Sequence, residues 1–233
     1  MTRDEYISRI KSDFGIIDVL STKNNCKVLR LRHRELGKDM VLRSYPQQLD
    51  AYDSLVKIRC ENLPILFDTI SVDDGQIVLE EYISGMTVAQ IMESNRYHKQ
   101  GAQRIMSALC HAMETLHARG LVHRDIKPEN LIVSDTGRVV LIDFNASRQV
   151  KECSRDTVIM GTVGYTSPEQ LGLFQTDPRT DIYAAGILYN VMLTGQHPSV
   201  TIASGKAGKI VRKCTAVNPD ERYQTAAELR SAL

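Results

Sequence analysis

The string HRDIKPENL, residues 123–131, gathers in one short stretch the groups needed to move a phosphoryl group onto a hydroxyl. Such a transfer uses a carboxylate to orient the nucleophile, a cation to offset charge on the migrating group, and oxygen ligands for Mg²⁺. Asp125, Lys127 and Asn130 supply one of each. Downstream, an apolar run ends in Ile142-Asp143-Phe144, where Asp143 offers a second carboxylate that a hard divalent ion could share with Asn130. Singly, each residue has an ordinary explanation as a turn carboxylate or a capping asparagine. In this order and at this spacing, coincidence is a poor account of all of them.

The surrounding pattern says which elements hold these groups. Residues 14–43 alternate with period two: Ile17 and Val19, then Val28, Leu29 and Leu31, then Met40, Val41 and Leu42. Three antiparallel strands are expected, joined by turns at Asn24-Asn25 and Glu35-Leu36-Gly37-Lys38. Pro46 should open a helix carrying Leu49, Tyr52, Leu55, Val56 and Ile58 on one face. Two more strands, 63–70 and 76–82, flank the turn Asp73-Asp74-Gly75. Beyond Gly85 the period becomes helical, with Val88, Ile91 and Met92, then Ile105, Met106, Leu109, Met113 and Leu116, ending at Gly120. One hairpin, 131–133 with 139–142 around Asp135-Thr136-Gly137, interrupts the helices.

Composition narrows the classes. Lys and Arg (29) nearly balance Asp and Glu (28), so no global field points to nucleic acid or an anionic membrane. Five cysteines, Cys26, Cys60, Cys110, Cys153 and Cys214, form no C-x-x-C pair and are expected as free thiols in a reducing cytoplasm. The N-terminus lacks the build of a signal peptide, and no apolar run reaches the ~20 residues of a spanning helix. The longest, AAGILYNVML, suits a buried core helix. No membrane association is expected within this chain.

The string HRDIKPENL matches the catalytic loop of protein kinases. With GTVGYTSPEQ, residues 161–170, the chain resembles a eukaryotic-type Ser/Thr protein kinase, and most of all the bacterial members. The resemblance implies an α+β, two-lobed protein-kinase fold over residues 1–233. Its N-lobe, about 1–82, would be a five-stranded antiparallel sheet with one helix, followed by a hinge at about 82–85 and a mainly α-helical C-lobe, about 86–233. It implies ATP and Mg²⁺ as cofactors. Asp125 would orient the acceptor hydroxyl, Lys127 stabilise charge and touch the nucleotide, and Asn130 and Asp143 hold the metal. Asn130 and Arg43, with Glu81 and Ile83 at the hinge, complete the expected nucleotide contacts. Lys127 favours Ser or Thr over Tyr as acceptor.

Supporting roles follow from the same resemblance. Ser167-Pro168-Glu169 stands for the usual Ala-Pro-Glu, and Glu169 is expected to form a buried ion pair with Arg222; the plainer alternative is a surface pair worth little. Asp181 should accept hydrogen bonds from the catalytic-loop backbone, with an N-cap carboxylate as the alternative. Ser154, Thr157 and Thr162 are candidate phosphorylation positions, and Arg124 the cation that would receive the phosphate. His123 is expected to be structural. His33, His111 and His117 lack metal-ligand spacing and are expected as surface or satisfied packing residues. Arg30, Arg32 and Arg34 read as a solvated basic face.

Several positions depart from the kinase pattern. The phosphate-covering loop normally uses three glycines, which let backbone N–H groups approach ATP. Ser21, Lys23 and Cys26 stand there, with Lys23 expected as a solvated turn lysine ahead of the alternative that it reaches the phosphates from the hairpin tip. Arg43 replaces the strand lysine, a swap that is not conservative where geometry matters. Ala51 occupies the place of the helix acid, and Glu80 on the strand entering the hinge is the expected substitute partner for Arg43. Asn145 follows Asp143-Phe144 where glycine is usual, and asparagine tolerates positive φ. Between Gly195 and Ile210 a short polar stretch replaces a docking helix. The expected function is Mg²⁺-ATP-dependent phosphorylation of Ser or Thr on a protein, with weak nucleotide affinity. The alternative is a pseudokinase that acts as a protein-interaction or regulatory module. A small-molecule phosphotransferase is disfavoured by Lys127-Pro128-Glu129 and Ser167-Pro168-Glu169. The partner is thus a protein substrate or regulatory protein, and not nucleic acid.

Overall fold

The computed structural model describes residues 2–23, 25–49, 51–94, 97–149, 162, 164–171 and 175–233. They divide into two compact units, Met1–Arg59 with Pro64–Ile83, and Cys60–Leu63 with Ser84–Leu233.

The first unit is an antiparallel five-stranded sheet preceded by a helix, α1 (Arg3–Asp13). Its strands are β1 (Phe14–Lys23), β2 (Cys26–His33), β3 (Asp39–Tyr45), β4 (Leu66–Val72) and β5 (Gly75–Glu81), in the order β1-β2-β3-β5-β4. Pairing of Lys23 with Cys26 leaves two residues for the first turn, and Asn25 takes φ 57, as its side chain allows. Gly75 is obligatory. At φ 144, an added Cβ would lie 2.0 Å from the Tyr45 carbonyl oxygen.

Two features of this unit differ from expectation. Helix α1 was not anticipated, although Thr2 and Glu5 form a capping box: Thr2 Oγ1 accepts from Glu5 N–H at 3.2 Å, and Thr2 N–H donates to Glu5 at 2.7 Å. Its Tyr6, Ile7 and Ile10 cover a core of Leu29, Leu31, Leu42, Val72, Ile77 and Leu79. Arg3 clamps it to the β4–β5 turn through Asp74 at 2.7 Å and to the end of β3 through the Tyr45 carbonyl at 2.9 Å. The helix expected from Pro46 to Ile58 is only α2 (Ala51–Leu55), so the unit has two helices and not one. Leu49 N–H donates to Gln76 Oε1 at 2.8 Å and Gln48 donates to the Gly75 carbonyl, which fastens residues 48–49 to the sheet and withholds them from a helical turn.

The second unit opens with β6 (Gly85–Thr87) and α3 (Val88–Ser94), then the long α4 (Lys99–His117) and β7 (Leu121–Val122). The expected hairpin is β8 (Leu131–Ser134) with β9 (Val139–Leu141), and β6 adds an unforeseen third strand beside β8. Strand β10 (Arg148–Gln149) pairs with β7. Helices α5 (Pro178–Thr194), α6 (Gly205–Cys214) and α7 (Ala226–Ala232) complete it. Helix α4 buries Ile105, Met106, Leu109, Met113 and Leu116, the stripe seen in the sequence, and α5 is buried along most of its length.

Leu63 does not begin β4. Asn62 donates to the Val139 carbonyl at 2.8 Å, accepts from Leu141 N–H at 3.0 Å through its own carbonyl, and bonds His111 Nδ1 at 2.8 Å. These bonds hold residues 60–63 within the second unit. The stretch after Gly195 is also not wholly irregular, since its second half is α6. Its first half is stapled by the fully buried Asn190 of α5, whose Nδ2 donates to the carbonyls of Gln196 (2.8 Å) and Thr201 (2.7 Å) and whose Oδ1 accepts from Ala203 N–H (2.9 Å). Among the described residues, no helix is long and apolar enough to cross a membrane.

The staple carries a test. Asn190→Leu fills the same space but strips partners from three backbone groups, so stability should fall by about 1–3 kcal/mol. Urea unfolding should show the lower midpoint with an unchanged slope.

Candidate active site

Backbone anchoring of residues 123–125 builds the site. Asp181, one turn into α5, has no solvent exposure and accepts from His123 N–H at 2.9 Å and Arg124 N–H at 2.8 Å. His117 Nε2 lies 2.8 Å from the same carboxylate. The capping alternative for Asp181 falls away, because Asp177 is the N-cap and accepts from Arg179 N–H at 2.8 Å. Arg124 adopts φ 67, a left-handed conformation that non-glycine residues rarely hold without support. Gln170 adds that support by donating to the Arg124 carbonyl at 2.9 Å.

Asp125 then receives three side chains. Lys127 Nζ is 2.7 Å from Oδ2, Asn130 Nδ2 donates to Oδ2 at 2.9 Å, and Thr162 Oγ1 donates to Oδ1 at 2.7 Å. Lys127 also donates to Thr162 Oγ1 at 2.8 Å, closing a ring of contacts. Burial works against the charged carboxylate, but the hydrogen bonds from Lys127 and Thr162 outweigh it and hold Asp125 below the usual aspartate range. His123 is fully buried, accepts from Asp125 N–H (3.3 Å) and contacts the Ile142 carbonyl through Nε2 (3.2 Å). It ties the loop to the end of β9 and faces Phe144 edge-on, which is a structural part.

Asn130 and Asp143 sit at one end of the β8–β9 hairpin, where Leu131 pairs with Leu141 and Ile142 N–H donates to the Asn130 carbonyl at 2.9 Å. Asn130 Nδ2 is committed to the backbone carbonyl and carboxylate of Asp125, so Oδ1 is the atom its side chain can offer a ligand. An amide oxygen and a carboxylate fit a hard cation such as Mg²⁺. The left-handed residue of the following turn is Asp143, at φ 69, and Asn145 is not at positive φ. The expected use of Asn145 as a glycine substitute is therefore corrected: the reversal is made two residues earlier.

In the first unit, Arg43 Nε donates to Glu80 Oε1 at 2.6 Å, as expected, and both residues are buried. Ala51 on α2 is buried and Asp53 exposed, so the helix presents no carboxylate at its inner face. Glu81 closes β5 and exchanges bonds with Ile65, its N–H donating to the Ile65 carbonyl at 2.8 Å and its carboxylate accepting from Ile65 N–H at 3.0 Å, while Ile83 is buried. Ser21 pairs with Val28 and Lys23 with Cys26 in the β1–β2 ladder, and the Lys23 side chain lies outside the described residues. Arg30 and Arg32 are not a free basic face, since both bond Asp39, Arg32 at 2.6 Å.

Glu169 and Arg222 meet as a buried bidentate pair at 2.6 and 2.9 Å, and Thr180 Oγ1 donates to Glu169 at 2.9 Å. Arg222 spends its remaining donors on the carbonyls of Ala216, Arg179 and Val217. Ser154, Thr157 and Cys153 lie outside the described residues; the other four cysteines are free thiols.

The family model for the protein kinase domain matches residues 21–232. The chain belongs to the protein kinase family. The kinase domain is 32% identical over 183 residues to serine/threonine-protein kinase PknB of Mycobacterium leprae, covering 67% of this chain and 29% of that protein. A probable serine/threonine-protein kinase, CE0033, of Corynebacterium efficiens is 30% identical over 213 residues, covering 76% and 32%. Human serine/threonine-protein kinase PAK 4 is 27% identical over 213 residues, covering 90% and 35%. The chain spans about a third of the length of these relatives.

Sequence reasoning missed three members of this site. Thr162 was read as a possible phosphate acceptor, yet its hydroxyl bridges Asp125 and Lys127. His117 was read as packing, yet it meets the buried Asp181, and Gln170 was not singled out at all. The position of Thr162 after Gly161 was a usable signal; nothing in the spacing of His117 or Gln170 announces their partners.

The kinase domain should be acid-sensitive through these carboxylates. Burial disfavours the charge on Glu169, but the Arg222 hydrogen bonds prevail and hold its carboxyl below the ordinary range, as His117 and the loop amides do for Asp181. A depressed carboxyl stabilises fully above its unfolded value, about 4.3 for Glu, and that stability is lost as pH falls through the folded value. Glu169→Gln should lower stability by roughly 3 kcal/mol at neutral pH, since it leaves a buried guanidinium without its charge partner. It should also flatten the decline below about pH 4.5. Thermal melts of both proteins across that range check the slope as well as the offset.

Proposed function

We propose that this kinase domain transfers the γ-phosphoryl group of Mg²⁺-ATP to a serine or threonine hydroxyl on a protein. The reading is carried by Asp125, a partly buried, ionised carboxylate fixed by Lys127, Asn130 and Thr162 on a loop whose amides are bonded to Asp181. Asp125 orients the acceptor hydroxyl and takes its proton. The hydroxyl oxygen bonds to the γ-phosphorus, the bond to the β,γ-bridging oxygen breaks, and ADP leaves. Lys127 offsets negative charge on the migrating group. Asn130 Oδ1 and the Asp143 carboxylate would hold Mg²⁺, which supplies charge neutralisation at the phosphates. Arg43, Glu81 and Ile83 are the proposed nucleotide contacts of the sheet unit.

The partner is then a protein that carries the acceptor or regulates the domain. A net charge of +1 supports neither nucleic acid nor a membrane surface as partner. Free thiols at Cys26, Cys60, Cys110 and Cys214 support a reducing cytoplasm. A pseudokinase is the rival, and the replacement of three glycines by Ser21, Lys23 and Cys26 favours it, because side chains now stand where backbone would approach phosphate. The same replacement supports weak nucleotide affinity in an active enzyme.

Incubation with labelled ATP, Mg²⁺ and a Ser/Thr peptide library distinguishes the two. Transfer to peptide or to the domain itself is expected, with Asp125→Asn reducing it by about 100-fold or more and chelation of Mg²⁺ abolishing it. Nucleotide binding without any transfer by the unaltered domain would establish the pseudokinase.

A further inference from the structure

The Arg43–Glu80 pair is built differently from the ion pair it replaces. In kinases the strand cation is paired with an acid on a helix, so displacement of the helix unpairs it. Here both partners are strand residues. Register places Arg43 opposite Val78 and Val41 opposite Glu80, which makes Arg43 and Glu80 diagonal neighbours on one face of adjacent strands β3 and β5. Such neighbours are far enough apart that only long side chains meet, and arginine is longer than the lysine it replaces. The loss of a carboxylate at Ala51 and the gain of one at Glu80 thus fit one rearrangement.

We propose that Glu80 is a positioning residue that fixes Arg43 for nucleotide-phosphate binding from within the sheet. The proposal rests on the kinase reading above and deepens it. Two observations and one general rule favour it over a merely structural pair. The bond is short, 2.6 Å, and buried. A buried ion pair is seldom needed for stability, because apolar residues of similar volume commonly serve as well. And the one acid of α2 (Ala51–Leu55), Asp53, is exposed.

The test reads nucleotide affinity, not turnover. Mg²⁺-ATP is titrated calorimetrically into the whole chain as wild type, Glu80→Gln, Glu80→Asp and Asp53→Gly, with a melting temperature for each. Glu80→Gln should weaken binding at least tenfold in protein that remains folded. Glu80→Asp, which keeps the charge but withdraws it, should give an intermediate loss, and it decides the matter if the glutamine variant does not fold. Asp53→Gly, on the exposed side of α2, should change affinity less than twofold. The proposal is overturned if the Glu80 variants lower the melting temperature while affinity stays within twofold of wild type. It is equally overturned if Asp53→Gly weakens binding as much as Glu80→Gln, or if the wild type binds no nucleotide. Binding that depends on Glu80 in a protein that transfers no phosphate would remove the catalytic reading and leave this one standing.

Discussion

Asp181 holds its negative charge at a point that solvent does not reach, and the loop after β7 takes its shape from the need to satisfy that charge. An ionised carboxylate in such a place is tolerable only with directed partners, and hydrogen bonds to a charged group are about twice as strong as neutral ones. Two of those partners are consecutive backbone amides, His123 and Arg124, so the carboxylate fixes main chain and not merely side chains. With its amide held there, Arg124 is kept in the left-handed region, and the chain is turned so that Asp125 meets Lys127, Asn130 and Thr162. Removing the carboxylate would free a strained residue to relax, and the geometry at Asp125 would relax with it.

The two buried arginine pairs show how differently one motif can be used. Arg222 has its guanidinium spread over both oxygens of Glu169 and three backbone carbonyls, and it ties residues distant in sequence, 169, 179 and 216–217, around itself. Its value lies in connecting segments that are distant in sequence. Arg43 joins neighbours in a sheet already held by the β3–β5 ladder, where no such tie is required. Architecture therefore accounts for the first pair. The second asks for a reason in chemistry.

How much could be read in the sequence follows from the range of the interactions. Local, periodic features were legible: the β1–β2 and β8–β9 hairpins, the stripe on α4, the burial of α5. So were the Glu169–Arg222 and Arg43–Glu80 pairs, because their residue types are chemically conspicuous. What failed was set by side chains reaching distant backbone. Gln76 and Gln48 cut the helix after Pro46 down to Ala51–Leu55, Asn62 moved Leu63 out of β4, and Asn190 shaped the loop after Gly195. Neutral amides carry no mark of their partner in spacing or periodicity. Helix α1 was a different failure, for Thr2, Glu5, Tyr6 and Ile10 did spell a capped amphipathic turn.

The electrostatics of Asp125 bear on what kind of catalyst this loop can be. A general base works best when its pKa lies near the working pH. Lys127 and Thr162 push Asp125 the other way, so it is a poor proton acceptor in the ground state and a dependable anion. For a phosphoryl transfer with a loose transition state this is no handicap, because the hydroxyl need not be deprotonated before the bond to phosphorus forms. What the proposed reaction would need early is orientation, and an aspartate kept charged at neutral pH and held by three side chains could supply it. The proton can follow late, when bond formation to phosphorus has made the hydroxyl strongly acidic.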